Sequence, residues 1–221
     1  MKLKKYNYLV CFDLDRTIIP YDSGTELALL ANKKGLIRKV DFLKALGWFA
    51  LYLLRIIKAT YMLRQLVKWT KGVFIGTLAE LSAELFQNKL QASIYKQVYA
   101  EIELHRKNKA EIIIISSSIS EICELFVRHL KIDGAISTQL AVQNNLLTGE
   151  IVGDFCYHSE KKTRLIAYCQ QNNYNLHETY FYSDSVSDLP AMNLVGFPKC
   201  VNPDKKLRTW AKQHDWKVNK W

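Results

Sequence analysis

The chain has 221 residues, 49% of them hydrophobic, enough to build a sizeable core in one large or two small domains. Its 31 Lys/Arg against 21 Asp/Glu leave a formal net charge of +10, which favours anionic partners: phosphorylated molecules, nucleic acid or an anionic membrane surface. Five cysteines (11, 123, 156, 169 and 200), odd in number and without a C-x-x-C pair, argue against a disulfide framework or a zinc site and fit a reducing, cytoplasmic setting.

The opening MKLKKYNYLVCFDLD sets lysines before an apolar run, as a signal peptide does, but the run stops at Asp13, short of an h-region and cleavage site. It reads as a first strand, within Tyr8–Ile19, ending in two acids. Pro20 and the cluster Asp22-Ser23-Gly24-Thr25 mark a turn, with Thr25 or Ser23 placed to cap a helix over Glu26–Lys33. From Val40 to Trp69 the periodicity is helical. Within it ALGWFALYLL (Ala45–Leu54) is ten uncharged residues between Lys44 and Arg55, short of the roughly 18 that a membrane span needs. It fits a buried helix of a small helical domain or, with basic residues flanking apolar and aromatic ones, an interfacial helix. Residues 33–71 hold ten Lys/Arg against one acid, Asp41, a local +9 that is nearly the whole excess. That density is either the solvated face of ordinary helices or a surface for a polyanion.

Gly72 and Gly76 interrupt the pattern, and helix resumes over Leu78–Phe86 and Leu90–Leu104. The β-branched run Ile112–Ile115 suits a central strand of a parallel sheet. A helix over Glu121–Leu130, a short strand over Ala135–Thr138 and a hairpin LAVQNNLLTGEIV turning at Asn144-Asn145 follow, because Asn tolerates positive φ. Lys161–Gln171 is a helix, Tyr180–Tyr182 a strand leading to Asp184, and Leu189–Leu194 a helix with Pro190 in its first turn. Lys199–Val201 is the last strand and Lys205–His214 the last helix. This alternation predicts an α/β fold with a parallel sheet. Asp13, Ser116 and Asp184 each follow a strand, where such sheets bind ligands. Residues 23–89 form a helical insertion that sits over the site as a cap; residues 1–22 and 90–221 make up the core.

Asp13 and Asp15 are two residues apart at a strand end, so both reach one point in space. Like charges that close raise one pKa unless a cation lies between them, and hard oxygen ligands suit Mg²⁺. Asp13 is then a candidate nucleophile and Asp15 its proton donor and acceptor; two solvated acids in a loop is the plain alternative.

Four ordered motifs resemble those of the haloacid dehalogenase (HAD) superfamily: DLDRT at Asp13–Thr17, IIIISSS at Ile112–Ser118, Lys161 at a helix start, and SDSVSD at Ser183–Asp188. The closing GFPKCVNPDKKLRTWAKQHDW is similar to the subfamily (IB) that includes phosphoserine phosphatase. The resemblance implies a Rossmann-like three-layer core with an inserted all-helical cap, and a Mg²⁺-dependent phosphomonoester hydrolase working through an aspartyl-phosphate on Asp13. It implies metal ligation by Asp13, the Asp15 carbonyl and Asp184. Thr17 orders the loop, and Asp188 either holds the metal's surroundings or positions Lys161. Ser116, with Ser117 behind it, binds phosphate, unless the serines simply cap the next helix. Lys161 supplies the fixed positive charge; the adjacent Lys162 is the alternative, and Leu165 four residues on matches the family spacing for Lys161. Arg16 reaches phosphate or points outward.

Phosphoserine phosphatases carry a Glu where this chain has Asp22, which makes Asp22 a candidate substrate-selecting residue. The expected substrate is a small phosphorylated metabolite such as phosphoserine or histidinol phosphate. A lipid phosphate such as phosphatidylglycerophosphate, taken at an anionic membrane surface by the basic cap, is the alternative, as is transfer to an acceptor other than water. No nucleic-acid module is visible, so nucleic acid is not an expected partner.

Overall fold

A computed structural model describes residues 6–221, without the side chains of Phe42 and Leu53; Lys2, Lys4 and Lys5 lie outside the described residues. The described strands are β1 (Tyr8–Phe12), β2 (Ala110–Ile119), β3 (Gly134–Thr138), β4 (Leu140–Gln143), β5 (Leu146–Ile151), β6 (Tyr180–Ser183), β7 (Phe197–Val201) and β8 (Val218–Asn219). Six form one parallel sheet in the order β3-β2-β1-β6-β7-β8, and β4–β5 is a separate antiparallel hairpin. The chain leaves β1 toward β2 on one side and later returns to lay β6 on the other. The sheet therefore has its topological switch point beside β1, which opens a crevice at the strand carboxyl ends.

Strand alternation builds the layers. Val10, Phe12, Ile112, Ile114 and Tyr182 face one core, and Leu9, Cys11, Ile113, Ile115 and Phe181 face the other. The first core is closed by α1 (Ser23–Lys33), α4 (Ile75–Leu85), α5 (Lys96–Lys107) and α6 (Ser120–Leu130), through residues such as Leu27, Leu81, Val98 and Phe126. The second is closed by α7 (Ser159–Asn172), α8 (Leu189–Met192) and α9 (Lys205–Gln213), through Leu165, Met192 and Leu207. The result is a three-layer α/β fold.

The helical stretch expected over Val40–Trp69 is two helices, α2 (Lys39–Leu53) and α3 (Ala59–Leu66). Arg55 breaks it in the left-handed region (φ 59°), without a glycine or proline to announce the turn. None of the described α2 side chains is buried, so the buried-helix expectation for Ala45–Leu54 does not hold. The α1 cap is Asp22, whose Oδ1 accepts from Thr25 N–H at 2.8 Å, rather than Ser23 or Thr25. The helix expected over Leu90–Leu104 begins only at Lys96, because Tyr95 N–H is drawn to Ile18 C=O (3.1 Å) in the loop after β1. β2 runs on through the serines to Ile119, where pairing with β3 resumes at Thr138 after an irregular register beyond Ile115, and β8 had no apolar run to signal it. Asn144 and Asn145 do turn the hairpin with positive φ (50° and 61°). That hairpin is bonded to the insertion: Gly72 N–H donates to Leu147 C=O (2.8 Å) and Ile75 N–H to Asn145 C=O (3.0 Å).

Behind the site, Tyr182 stacks on Phe12 with centroids 4.3 Å apart. Its hydroxyl donates to Glu101 Oε2 (2.8 Å) and lies 2.8 Å from His105 Nε2, while His105 Nδ1 lies 2.9 Å from the Tyr8 hydroxyl. With the Tyr182 proton spent on Glu101, the neutral Nε2–H tautomer fits the network, Nδ1 accepting from Tyr8. Burial, against the pull of Glu101, lowers the His105 pKa below its ordinary 6.5. The unfolded chain therefore binds a proton at a pH where the fold does not. The His105 contribution to stability is complete above pH about 6.5 and is lost as the pH drops through the lower folded value. Urea denaturation of wild type and His105→Gln in parallel should show this loss as a difference between the two that narrows from pH 8 to pH 5.

Candidate active site

Three strands deliver the site. β1 ends at Phe12, so Asp13 and Asp15 emerge at its carboxyl end; β2 presents Ser116; β6 ends at Ser183, followed by Asp184. Between them lies the Lys161 ammonium, only 2% exposed, reaching in from the first turn of α7. Its Nζ is 2.9 Å from Asp13 Oδ1 and 2.8 Å from Asp188 Oδ2. Burial pulls the ammonium toward neutrality, but Asp13 and Asp188 outweigh it and push its pKa well above the ordinary lysine value. Lys162, the alternative, is exposed.

Asp13 Oδ1 accepts from both Lys161 and Leu14 N–H (2.8 Å), while Oδ2 accepts no hydrogen bond among the described residues. One oxygen is clamped and the other is free to react. Burial and the neighbouring Asp188 charge, against Lys161, push the Asp13 carboxyl up to about 6. Burial and then the Asp22 charge push Asp15 to about 8, despite the Ser23 N–H on its Oδ1 at 2.9 Å. Burial and the charges of Asp13 and Asp188 push Asp184 to about 7. Thr17, fully buried, directs its hydroxyl to Asp184 Oδ1 at a long 3.4 Å.

Ser116 is fully buried, and its Oγ accepts from Ser118 N–H (3.2 Å), which leaves the hydroxyl proton free to donate. Ser117 points to the opposite side of the strand, and its carbonyl is held by Thr138 (2.9 Å). The serines do not cap α6, whose cap residue is Ile119 without a side-chain bond. The α6 N–H groups therefore stay open. Asp22 is exposed at the mouth, and Arg16 is exposed with φ 58°.

Two contributors carried no sequence signal. Ser23, fully buried, donates its N–H to Asp15 and places its Oγ 2.7 Å from Ser118 Oγ. Before α7, His158 (φ 53°, ψ −120°) occupies a glycine-favouring turn position, closed by Glu160 N–H to Tyr157 C=O (3.1 Å), that aims the helix bearing Lys161. Ser183 Oγ donates to Asp188 Oδ2 at 2.8 Å.

Asp13, Asp184 and Asp188 are three buried carboxylates against one ammonium, and Asp188 Oδ1 is buried with no partner. Such a cluster suits a further cation. Among the described residues no three His, Cys, Asp or Glu side chains group closely enough to hold a metal alone. The donors of the cluster are all oxygens, the kind a hard cation takes.

A family model described as haloacid dehalogenase-like hydrolase matches residues 10–193. A histidinol-phosphatase of Neisseria meningitidis serogroup C is 30% identical over 225 residues, covering 95% of this chain and 97% of its own. Among solved structures, a Bordetella pertussis protein of unknown function superposes with a TM-score of 0.88 at 22% identity, covering 96% of this chain and 98% of that one. A phosphoserine phosphatase solved as an analogue of its phospho-aspartyl intermediate superposes with a TM-score of 0.70 at 16% identity, covering 97% and 93%.

Removing the ammonium isolates the carboxylates. In EDTA at pH 8, Lys161→Met should lose about 3–5 kcal/mol of stability. Asp13 and Asp184 have folded pKa values above the ordinary carboxylate value, so the fold binds more protons than the unfolded chain. Lys161 holds both values down, so without it they rise further, the variant's fold takes up protons that the wild type does not, and the penalty should shrink as the pH falls from 8 to 5, as read by urea denaturation.

Proposed function

The chain belongs to the haloacid dehalogenase-like hydrolase family, and we propose that it is a Mg²⁺-dependent phosphatase of small phosphorylated metabolites, working through an aspartyl-phosphate on Asp13. The observation that carries this reading is the clamped Asp13, with Oδ1 fixed by Lys161 and Leu14 N–H and Oδ2 left open.

In this reading Asp13 Oδ2 attacks phosphorus and the bond to the leaving alkoxide breaks. Asp15, protonated near neutral pH because its carboxyl sits at about 8, gives its proton to that oxygen. The resulting Asp15 carboxylate then takes a proton from the water that attacks the phosphoryl group, which regenerates Asp13 and releases inorganic phosphate. Ser116 and the open α6 N–H groups donate to the phosphoryl oxygens, and Lys161 balances their charge. Asp13, the Asp15 carbonyl and Asp184 would hold Mg²⁺, which supplies Lewis-acid charge neutralisation at the phosphoryl oxygens. Thr17 orients Asp184, and Asp188 holds Lys161. Residues 23–89 act as the cap over this site.

Substrate class rests on Asp22 and on the likeness to a protein named histidinol-phosphatase. Histidinol phosphate and phosphoserine both carry an ammonium, and an acid at the mouth of the site favours it. A lipid phosphate is the second reading, favoured by the exposed apolar and basic surface of α2 and α3. Transfer to another acceptor uses the same residues; phosphate recovered on an added alcohol would identify it.

Phosphate release from histidinol phosphate, phosphoserine and micellar phosphatidylglycerophosphate, with and without Mg²⁺, tests the reading. EDTA should abolish release and Mg²⁺ restore it, and Asp13→Asn should lower kcat by at least about 10³-fold. Unchanged release by Asp13→Asn would refute the mechanism. Asp22→Asn keeps the α1 cap, since Asn caps as well as Asp. Its melting temperature should stay put while its preference for amine-bearing over amine-free phosphomonoesters falls, about 5-fold for roughly 1 kcal/mol at a partly solvated ion pair.

A further inference from the structure

The face of α2 and the α2–α3 turn is an anomaly for a water-facing surface. Leu43, Leu46, Phe49 and Leu54 lie along the outer side of α2 and its end, and Ile56 lies in the turn; Leu43, Leu54 and Ile56 are 66%, 69% and 66% exposed. Gly47 and Ala50, also exposed, complete that side, so no polar side chain interrupts it between Lys44 and Arg55. The inner side, with Asp41, Ala45, Trp48 and Tyr52, is only half-buried, and Trp48 meets Tyr61 of α3 edge-on at 5.5 Å. An apolar side of this extent normally has a covering partner; the outer side of α2 has none among the described residues.

The element is nevertheless anchored. Arg64 of α3 pairs with Asp154 at 2.7 Å, and the chain after α3 is hydrogen-bonded to the β4–β5 hairpin. Refolding onto the core would break these ties, so the apolar side is presented rather than left over.

Charge decides what covers it. Exposed cations flank the apolar run at both ends: Arg38, Lys39 and Lys44 before it, Arg55 and Lys58 after it. Lys39, Arg55 and Lys58 have no acidic partner among the described residues, while Arg38 and Lys44 share Asp41. A second copy of this chain would set one +9 segment against another, at a cost that an apolar contact of this size must overcome. An anionic bilayer matches both features, with aliphatic and aromatic side chains entering the headgroup–acyl boundary and the cations meeting lipid phosphates. No described helix is long and apolar enough to cross a membrane, so the contact lies in the interface plane.

We propose that α2 and the α2–α3 turn form a docking surface for an anionic lipid bilayer. The inference does not depend on which phosphomonoester is hydrolysed, and its test does not read activity.

The test is vesicle co-sedimentation of the full chain with phosphatidylcholine alone and with phosphatidylcholine mixed with phosphatidylglycerol. Binding should require the anionic lipid and weaken as salt rises from about 0.1 M to about 1 M, where the screening length falls from about 10 Å to about 3 Å. Arg55→Glu/Lys58→Glu should lower the affinity at least about 25-fold, from roughly five-fold per cation removed. Leu43→Ser/Phe49→Ser should lower it at least about 10-fold with the cations intact. Near-UV circular dichroism and the melting temperature serve as folding controls, and both pairs are exposed enough to leave them unchanged. Absence of wild-type binding to anionic vesicles overturns the proposal, as does equal binding by folded variants. A wild-type dimer in sedimentation equilibrium that Leu43→Ser/Phe49→Ser dissolves also overturns it, assigning the face to a second copy.

Discussion

One buried ammonium organises the catalytic end of this protein. Lys161 sits between Asp13 and Asp188, carboxylates from two separate segments that would otherwise repel each other in a desolvated crevice. The contact ties together three parts of the chain: the end of β1, the start of α7 and the turn after β6. A buried ion pair is a poor source of stability but a good source of geometry, because every partner must be in place at once. Here Leu14 N–H and Ser183 Oγ donate to the same two oxygens that Lys161 contacts, Asp13 Oδ1 and Asp188 Oδ2, and the sheet fixes the directions from which all of them come.

The second core explains why that arrangement holds still. Leu165, one turn beyond Lys161 on α7, packs with Cys11 and Phe181 beneath the strand ends that carry Asp13 and Asp184. On the opposite face Phe12 stacks on Tyr182, whose hydroxyl is bound by His105 and Glu101. The catalytic crevice thus rests on apolar packing below and a satisfied polar network to the side. Its own cluster of acids is under-compensated by the protein alone, and it is the part of the molecule that gains most from an added cation.

Much of this was legible in the sequence, for identifiable reasons. Apolar runs ending abruptly in Asp mark the carboxyl ends of parallel strands, and Asp13 and Asp184 lie at such points; Ser116, expected just after a strand, lies within β2 instead, because that strand continues to Ile119. The asparagine pair at 144 and 145 foretold its own backbone conformation. Other features left no trace. Ser23 reads as an ordinary capping residue, and only the fold brings its N–H to Asp15. His158 adopts a conformation that favours glycine, so its identity concealed the turn. Arg55 ends a helix that local periodicity would continue. Periodicity also could not say whether Ala45–Leu54 had anything to pack against, which depends on the rest of the chain.

The insertion is not mechanically uniform. Its first and last helices, α1 and α4, are welded into the same apolar core as the sheet, and Ser23 at the head of α1 grips the candidate proton donor Asp15. α2 stands apart from that body, with none of its described side chains buried. Displacement of α2 would therefore leave the grip on Asp15 undisturbed. Contact made at the outer helix and the setting of the candidate proton donor are in this way decoupled.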